Sequence, residues 1–183
     1  MSLEVELKAH IDDPRRVQVA VEALSGISAA RPVDKDDWYF AASGEPALFR
    51  LRREAGRVLF TRKHKRIARG IETNEEFEFE ADEDQFERAL AFVRSLDYEV
   101  VSRKTKRGLA YSLVWDEVLG DCTIELCEVS SLGWFIELEF ILEDRALVEE
   151  AKRALLNALA RLEIPESRLE ERPYLSLLSQ STG

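Results

Sequence analysis

The sequence is short of cysteine, glycine and proline, with 2, 8 and 5 of them in 183 residues. The two thiols, Cys122 and Cys127, stand five apart on one expected strand and so fall on opposite faces. That excludes a disulfide between them and a CxxC metal knuckle, and leaves them as small strand residues. Scarce glycine and proline leave no flexible linker or low-complexity segment, so residues 1–183 are expected to form one domain. No apolar run is long enough to span a bilayer, and the first residues lack the basic-then-apolar pattern of a signal peptide. We therefore expect a cytoplasmic protein with no membrane partner. Only two histidines occur, His10 and His64, at expected strand ends with no partnering motif, which makes them surface residues and not general bases. Positive charge is also in deficit. A formal charge of −10 argues against nucleic acid as a partner, although a local basic site remains compatible with it.

What the chain does have is alternation. In Leu3-Glu4-Val5-Glu6-Leu7-Lys8 the charged and apolar side chains share opposite faces of a strand. Similar strands are expected at 31–40, 47–54, 57–64, 74–80, 98–117 with a bend at Gly108, 122–129 and 134–141, with a tight turn at Ala55-Gly56. Helices fall between them. Asp12 or Asp13 caps the first, with Pro14 in its opening turn and Gly26 ending it. Asp82 and Gln85 form a capping box for the second, which carries Phe86, Leu90 and Val93. Asp144 starts the longest, with the stripe Leu147, Ala151, Leu155, Ala158 and Leu162, and Pro165 stops it. Each stripe needs an apolar surface, which Leu3/Val5/Leu7, Phe49/Leu51, Phe77/Phe79, Ile124/Leu126 and Ile136/Leu138/Phe140 supply.

The opposite face of these strands carries Glu4/Glu6/Lys8, Arg50/Arg52, Lys63, Glu76/Glu78/Glu80, Glu125 and Glu137/Glu139. An open sheet with one wet face would give the same alternation. A face built only for solubility would intersperse its signs, because like neighbours repel, whereas here acid follows acid and base follows base. Paired carboxylates suit a hard divalent cation, and rows of guanidinium and ammonium suit phosphate oxygens. The combination points to a metal with a polyphosphate.

Glu4-Val5-Glu6-Leu7-Lys8 resembles the ExExK signature of the CYTH superfamily, the triphosphate tunnel metalloenzymes, which include class IV adenylate cyclases and thiamine triphosphatases. Further likenesses follow in order. Asp37-Trp38-Tyr39-Phe40 resembles DxYF, Phe49-Arg50-Leu51-Arg52 resembles LRxR, and Thr61-Arg62-Lys63 resembles TxK. Glu76-Phe77-Glu78 resembles ExE, residues 132–139 resemble LGxFxExE, and residues 172–178 resemble SYxxLL. The resemblance implies an α+β protein, an eight-stranded antiparallel β-barrel whose charged faces line a tunnel, with helices packed outside. It also implies Mg²⁺ or Mn²⁺ on Glu4, Glu6, Glu137 and Glu139, and a triphosphate on Lys8, Arg50, Arg52 and Lys63, of which Lys8, Arg52 and Lys63 would be catalytic. Glu76, Glu78, Lys104 and Lys106 are candidate substrate-binding residues.

Two departures stand out. Where the family pattern DxVxxLG has Asp, this chain has Cys127, a poor ligand for Mg²⁺, and Glu125 on the same face is expected to supply the missing carboxylate. In Arg103-Lys104-Thr105-Lys106-Arg107 two registers are open, Lys104 with Lys106 or Arg103 with Arg107, and the first is preferred. The resemblance thus implies a metal-dependent enzyme on a triphosphate, most like a class IV adenylate cyclase making cyclic AMP and pyrophosphate from ATP. The alternatives are a triphosphatase acting on inorganic, thiamine or nucleoside triphosphate, and a non-catalytic polyphosphate or nucleotide-binding module. A homodimer through exposed apolar surface is compatible with either.

Overall fold

The computed structural model describes residues 3–180. Eight strands close into one antiparallel barrel: β1 (Leu3–Ile11), β2 (Arg31–Ala42), β3 (Phe49–Glu54), β4 (Arg57–Ala68), β5 (Ile71–Asp82), β6 (Tyr98–Asp116), β7 (Gly120–Val129) and β8 (Gly133–Leu142). Around the barrel the order is β1-β5-β4-β3-β2-β6-β7-β8. Closure leaves no sheet edge to template aggregation. It also decides what the alternation means, because one face of every strand now looks inward at the others.

Of four helices, α1 (Pro14–Glu22), α2 (Phe86–Ser95) and α3 (Val148–Arg161) lie outside, whereas α4 (Tyr174–Gln180), expected outside with the others, docks at a mouth of the barrel and lines its cavity. Asp13, not Asp12, caps α1, its carboxylate accepting from the Arg16 backbone N–H at 3.0 Å. The expected capping box at Asp82 does not form. Its side chain makes no cap hydrogen bond, and a 3₁₀ turn at Glu83–Gln85 leads into α2 instead. The largest core buries Ala151, Leu155, Ala158 and Leu159 of α3, with Val17 and Val21 of α1, on the outward residues of β1, β7 and β8. A second core sets Phe86, Leu90 and Val93 of α2 on Phe40, Leu51 and Val58. A third holds Tyr174 and Leu177 of α4 against Val129 and Phe135. The first two contacts are on the outer wall, and the third is on inward-facing residues of β7 and β8. Phe77 and Phe79 depart from expectation: they stay 48% and 64% exposed on the outside of β5, where Phe79 stacks on Phe60.

Two turns and one close approach fix the strand register. Ala55 and Gly56 both take positive φ, as do Arg69 and Gly70, which suits the tight hairpins β3–β4 and β4–β5. β6 runs unbroken through Gly108, so the expected bend is absent. Glycine is needed there for another reason. A Cβ at that position would lie 2.1 Å from the Leu126 carbonyl oxygen, so β6 and β7 meet too closely for any side chain.

Candidate active site

The barrel interior encloses a cavity of about 1110 Å³. Eight lysines and arginines reach its wall, namely Lys35, Arg50, Arg52, Lys63, Lys65, Arg103, Lys104 and Lys106. Only five acids do, namely Glu6, Glu45, Glu125, Glu137 and Glu139. An acidic chain therefore presents a basic cavity surface, with the carboxylates of Glu4, Asp37 and Glu72 buried behind it.

The carboxylates divide into two groups with opposite electrostatics. Glu4, Glu6 and Glu139 converge, with one oxygen of each within 4.8 Å of the other two. The barrel puts them there, since Glu6 and Glu139 are direct cross-strand partners on β1 and β8 and Glu4 is one inward position along β1. Burial, and then the neighbouring Glu4 and Glu137 carboxylates, push the Glu6 carboxyl up to about 8. Glu139 is raised well above the usual range by burial and by Glu4 and Glu6. This cluster is short of positive charge. Lys63 is its nearest cation, donating to both oxygens of Glu4 at 2.8 and 2.6 Å.

Glu125 and Glu137 form the second group, partners across β7 and β8. Lys106 bonds both, Lys35 holds Glu125 at 2.5 Å, and the Tyr174 hydroxyl donates to Glu137 at 2.5 Å. Burial raises the Glu125 carboxyl, but Lys106 and Lys35 outweigh it and hold it down at about 2. At Glu137 burial is likewise outweighed, by Lys106 and Lys104. These acids already have their cations.

On the opposite wall Asp37 organises the arginines. It is fully buried and accepts from Arg52 at 2.6 and 3.1 Å, with Lys104 at 2.9 Å and Arg50 at 3.7 Å. Burial would raise its carboxyl, yet Lys104, Arg52 and Arg50 together hold it well below the usual range. The DxYF likeness assigns Asp37 no part in binding; geometry makes it the anchor of the basic wall. Lys104 and Lys106 are both buried and inward, whereas Arg107 is exposed on the outside with Asp34. Arg103 stacks over Trp38 and pairs with Asp36.

Other expected residues lie further from the cavity. Lys8 is buried and donates to Glu72 at 3.1 Å. Glu76 approaches Lys63 at 3.6 Å and Arg50 at 3.8 Å, while Glu78 is exposed and accepts from the Thr61 hydroxyl at 2.6 Å. Cys127 is buried against Val33 and Ala110, and burial pushes its thiol up to about 12. His10 is not a free surface residue, since it pairs with Glu170 at 3.0 Å and packs on Phe135. The like-signed rows also find partners across strands: Lys63 of β4 on Glu4 of β1, and Lys106 of β6 on Glu125 of β7 and Glu137 of β8.

Lys35, Lys65, Glu72 and Asn74 join the interior without belonging to any of the motifs. Each extends a motif-bearing row by inward steps of two: Lys35 before Asp37, Lys65 after Lys63, Glu72 and Asn74 before Glu76. Carrying every alternation to the end of its strand finds them.

A cation would fit the first carboxylate group on donor chemistry. Three hard oxygen donors converge with Lys63 as their one close cation among the described residues, a donor set suited to Mg²⁺ or Mn²⁺, and no thiol or imidazole is among them.

Comparison with known proteins places the fold. The model of the CYTH domain family matches residues 2–174. Adenylate cyclase CyaB of Aeromonas hydrophila is 26% identical over 186 residues, spanning 97% of this chain and 90% of the relative. The PH1819 protein of Pyrococcus horikoshii OT3 is 26% identical with a TM-score of 0.74, covering 97% of this chain and 98% of that one. The Hippeastrum adenylyl cyclase-type protein HpAC1, described as having a dominant triphosphatase activity, shares the fold with a TM-score of 0.66 at 18% identity, covering 94% and 91%. With a family match running over nearly its whole length, the chain belongs to the CYTH domain family.

Proposed function

We propose that this protein is a divalent-cation-dependent enzyme acting on an organic triphosphate, most like a class IV adenylate cyclase converting ATP to cyclic AMP and pyrophosphate. The observation that carries this reading is the placement, in one tunnel, of an under-compensated carboxylate cluster opposite a wall of pre-positioned guanidinium and ammonium groups. The size of the cavity supports an organic substrate, since three phosphoryl groups alone do not fill it. Its apolar lining, including Leu48, Phe49 and Val101, gives a base somewhere to rest. The Aeromonas relative favours the cyclase form.

In this reading Glu4, Glu6 and Glu139 hold Mg²⁺ or Mn²⁺, which when bound would neutralise charge on phosphate oxygens. Arg50, Arg52 and Lys104, fixed by Asp37, clamp the phosphate chain without having to be ordered on binding. Arg52 and Lys63 stabilise the charge that builds as the bond to the leaving phosphate breaks. Lys8 acts from behind this layer, setting Glu72. Glu125 and Glu137 serve mainly to hold Lys106 toward the cavity. Accordingly, Glu139→Gln is expected to weaken Mn²⁺ binding about tenfold or more and Glu125→Gln less than about threefold, measured by titration calorimetry. Equal losses would place Glu125 in the cation shell.

The triphosphatase reading uses the same charges and differs only in which phosphorus faces the nucleophile; the activity ascribed to the Hippeastrum protein favours it. Incubation with ATP, tripolyphosphate or thiamine triphosphate in Mg²⁺ or Mn²⁺, with products resolved, decides. Cyclic AMP with pyrophosphate is the expected result. Orthophosphate without cyclic AMP makes the protein a triphosphatase, and tight binding without turnover makes it a binding module.

A further inference from the structure

Asn74 differs from the tunnel side chains around it. It is uncharged, has no accessible surface, and stands in direct register with Glu4 across β1 and β5. Its Nδ2 donates to Glu4 Oε1 at 3.0 Å and to Glu72 Oε2 at 3.4 Å. Both amide hydrogens are thereby used on carboxylates, which fixes the orientation of the group, since a flipped amide would aim its oxygen at two anions. The Oδ1 atom is left buried with no hydrogen-bond partner among the described residues. Buried acceptors without donors are uncommon, and a leucine of similar volume would avoid this one.

Lys63 grips both oxygens of Glu4, so a cation entering the cluster must draw at least one of them away from an ammonium. Asn74 shares Oε1 with that ammonium but carries no charge, so it keeps Glu4 aimed without competing electrostatically for the site. Partners behind a ligand carboxylate fix its orientation.

We propose that Asn74 is a positioning residue of the cation site: its amide N–H groups, bonded to Glu4 and Glu72, keep the Glu4 carboxylate aimed at the cluster it forms with Glu6 and Glu139. This rests on the reading that the carboxylate cluster binds a divalent cation. Mn²⁺ alone is the probe, with free ion counted by electron paramagnetic resonance in the absence of any triphosphate. Asn74→Leu is expected to raise the Mn²⁺ dissociation constant about tenfold or more. The circular dichroism of the metal-free protein should hold, with a modest fall in melting temperature because the amide bonds to Glu4 and Glu72 are lost. Asn74→Ala gives the same comparison if the leucine variant does not fold. Unchanged Mn²⁺ affinity in a folded variant overturns the inference alone, as does a lower metal-free melting temperature with no loss of affinity, the mark of a purely structural role. Failure of the wild-type protein to bind Mn²⁺ overturns both the inference and the cation reading beneath it.

Discussion

Replacing Glu4 and Glu6 together by glutamine is expected to abolish cation-dependent turnover, a loss of about 1,000-fold or more, while the barrel stays folded. The size follows from the several kcal/mol by which a Lewis-acidic cation stabilises phosphoryl charge, at about 1.4 kcal/mol per tenfold. The fold survives because the two carboxylates oppose each other's ionisation. Glu6 faces Glu139 directly, and like charges in that position repel across the strands. Glutamine keeps their shape and removes the repulsion, so the metal-free melting temperature should stay level or rise. Losing Glu4 leaves Lys63, already at the cavity wall, with Glu76 at 3.6 Å and with access to water or phosphate. Steady-state assays of the double variant across Mg²⁺ and Mn²⁺ concentrations check this. Retained turnover would remove the two glutamates from the site.

The opposite result is expected at Asp37. Asp37→Ala should lower stability by about 3–5 kcal/mol, the usual range when one member of a buried ion-pair group is deleted. Arg52, Lys104 and Arg50 all converge on this carboxylate, and no other acid replaces it for Lys104 among the bonds of the described residues. Its removal leaves cations crowded in the wall with their mutual repulsion unbalanced. Bound tripolyphosphate should restore part of the loss, because it brings the missing negative charge. Urea unfolding with and without tripolyphosphate measures both effects. A loss below about 1 kcal/mol would show that the arginines are held by something else. These two variants separate the walls of the tunnel: on one, carboxylates crowd one another; on the other, an acid holds bases in place.

Much of this is legible in the sequence. Period-two alternation places the strands and sorts their faces, and the ordered motifs point to the barrel that alternation alone does not distinguish from an open sheet. What alternation cannot give is the partner of each charge. Lys63 and Glu4 are 59 residues apart and Tyr174 and Glu137 are 37 apart, so their pairing depends on closure and on where α4 docks. The polar tips of β4 and β5 are also hidden. Residues 65–73 have few apolar side chains to mark a strand, yet they pair through to the Arg69-Gly70 turn because their inward side chains meet other charges instead of a core. Phe77 and Phe79 mislead in the other direction: their pattern suits a buried face, but the helices cover other parts of the wall.

The central claim is that one tunnel holds a cation on Glu4, Glu6 and Glu139 and a triphosphate on the arginine and lysine wall. Anomalous diffraction from crystals grown with Mn²⁺ and α,β-methylene-ATP tests it most directly. The account predicts an anomalous peak bound by those three carboxylates, with the triphosphate chain against Arg50, Arg52, Lys63 and Lys104. A manganese peak confined to the outer surface, or a triphosphate bound outside the barrel, would contradict it.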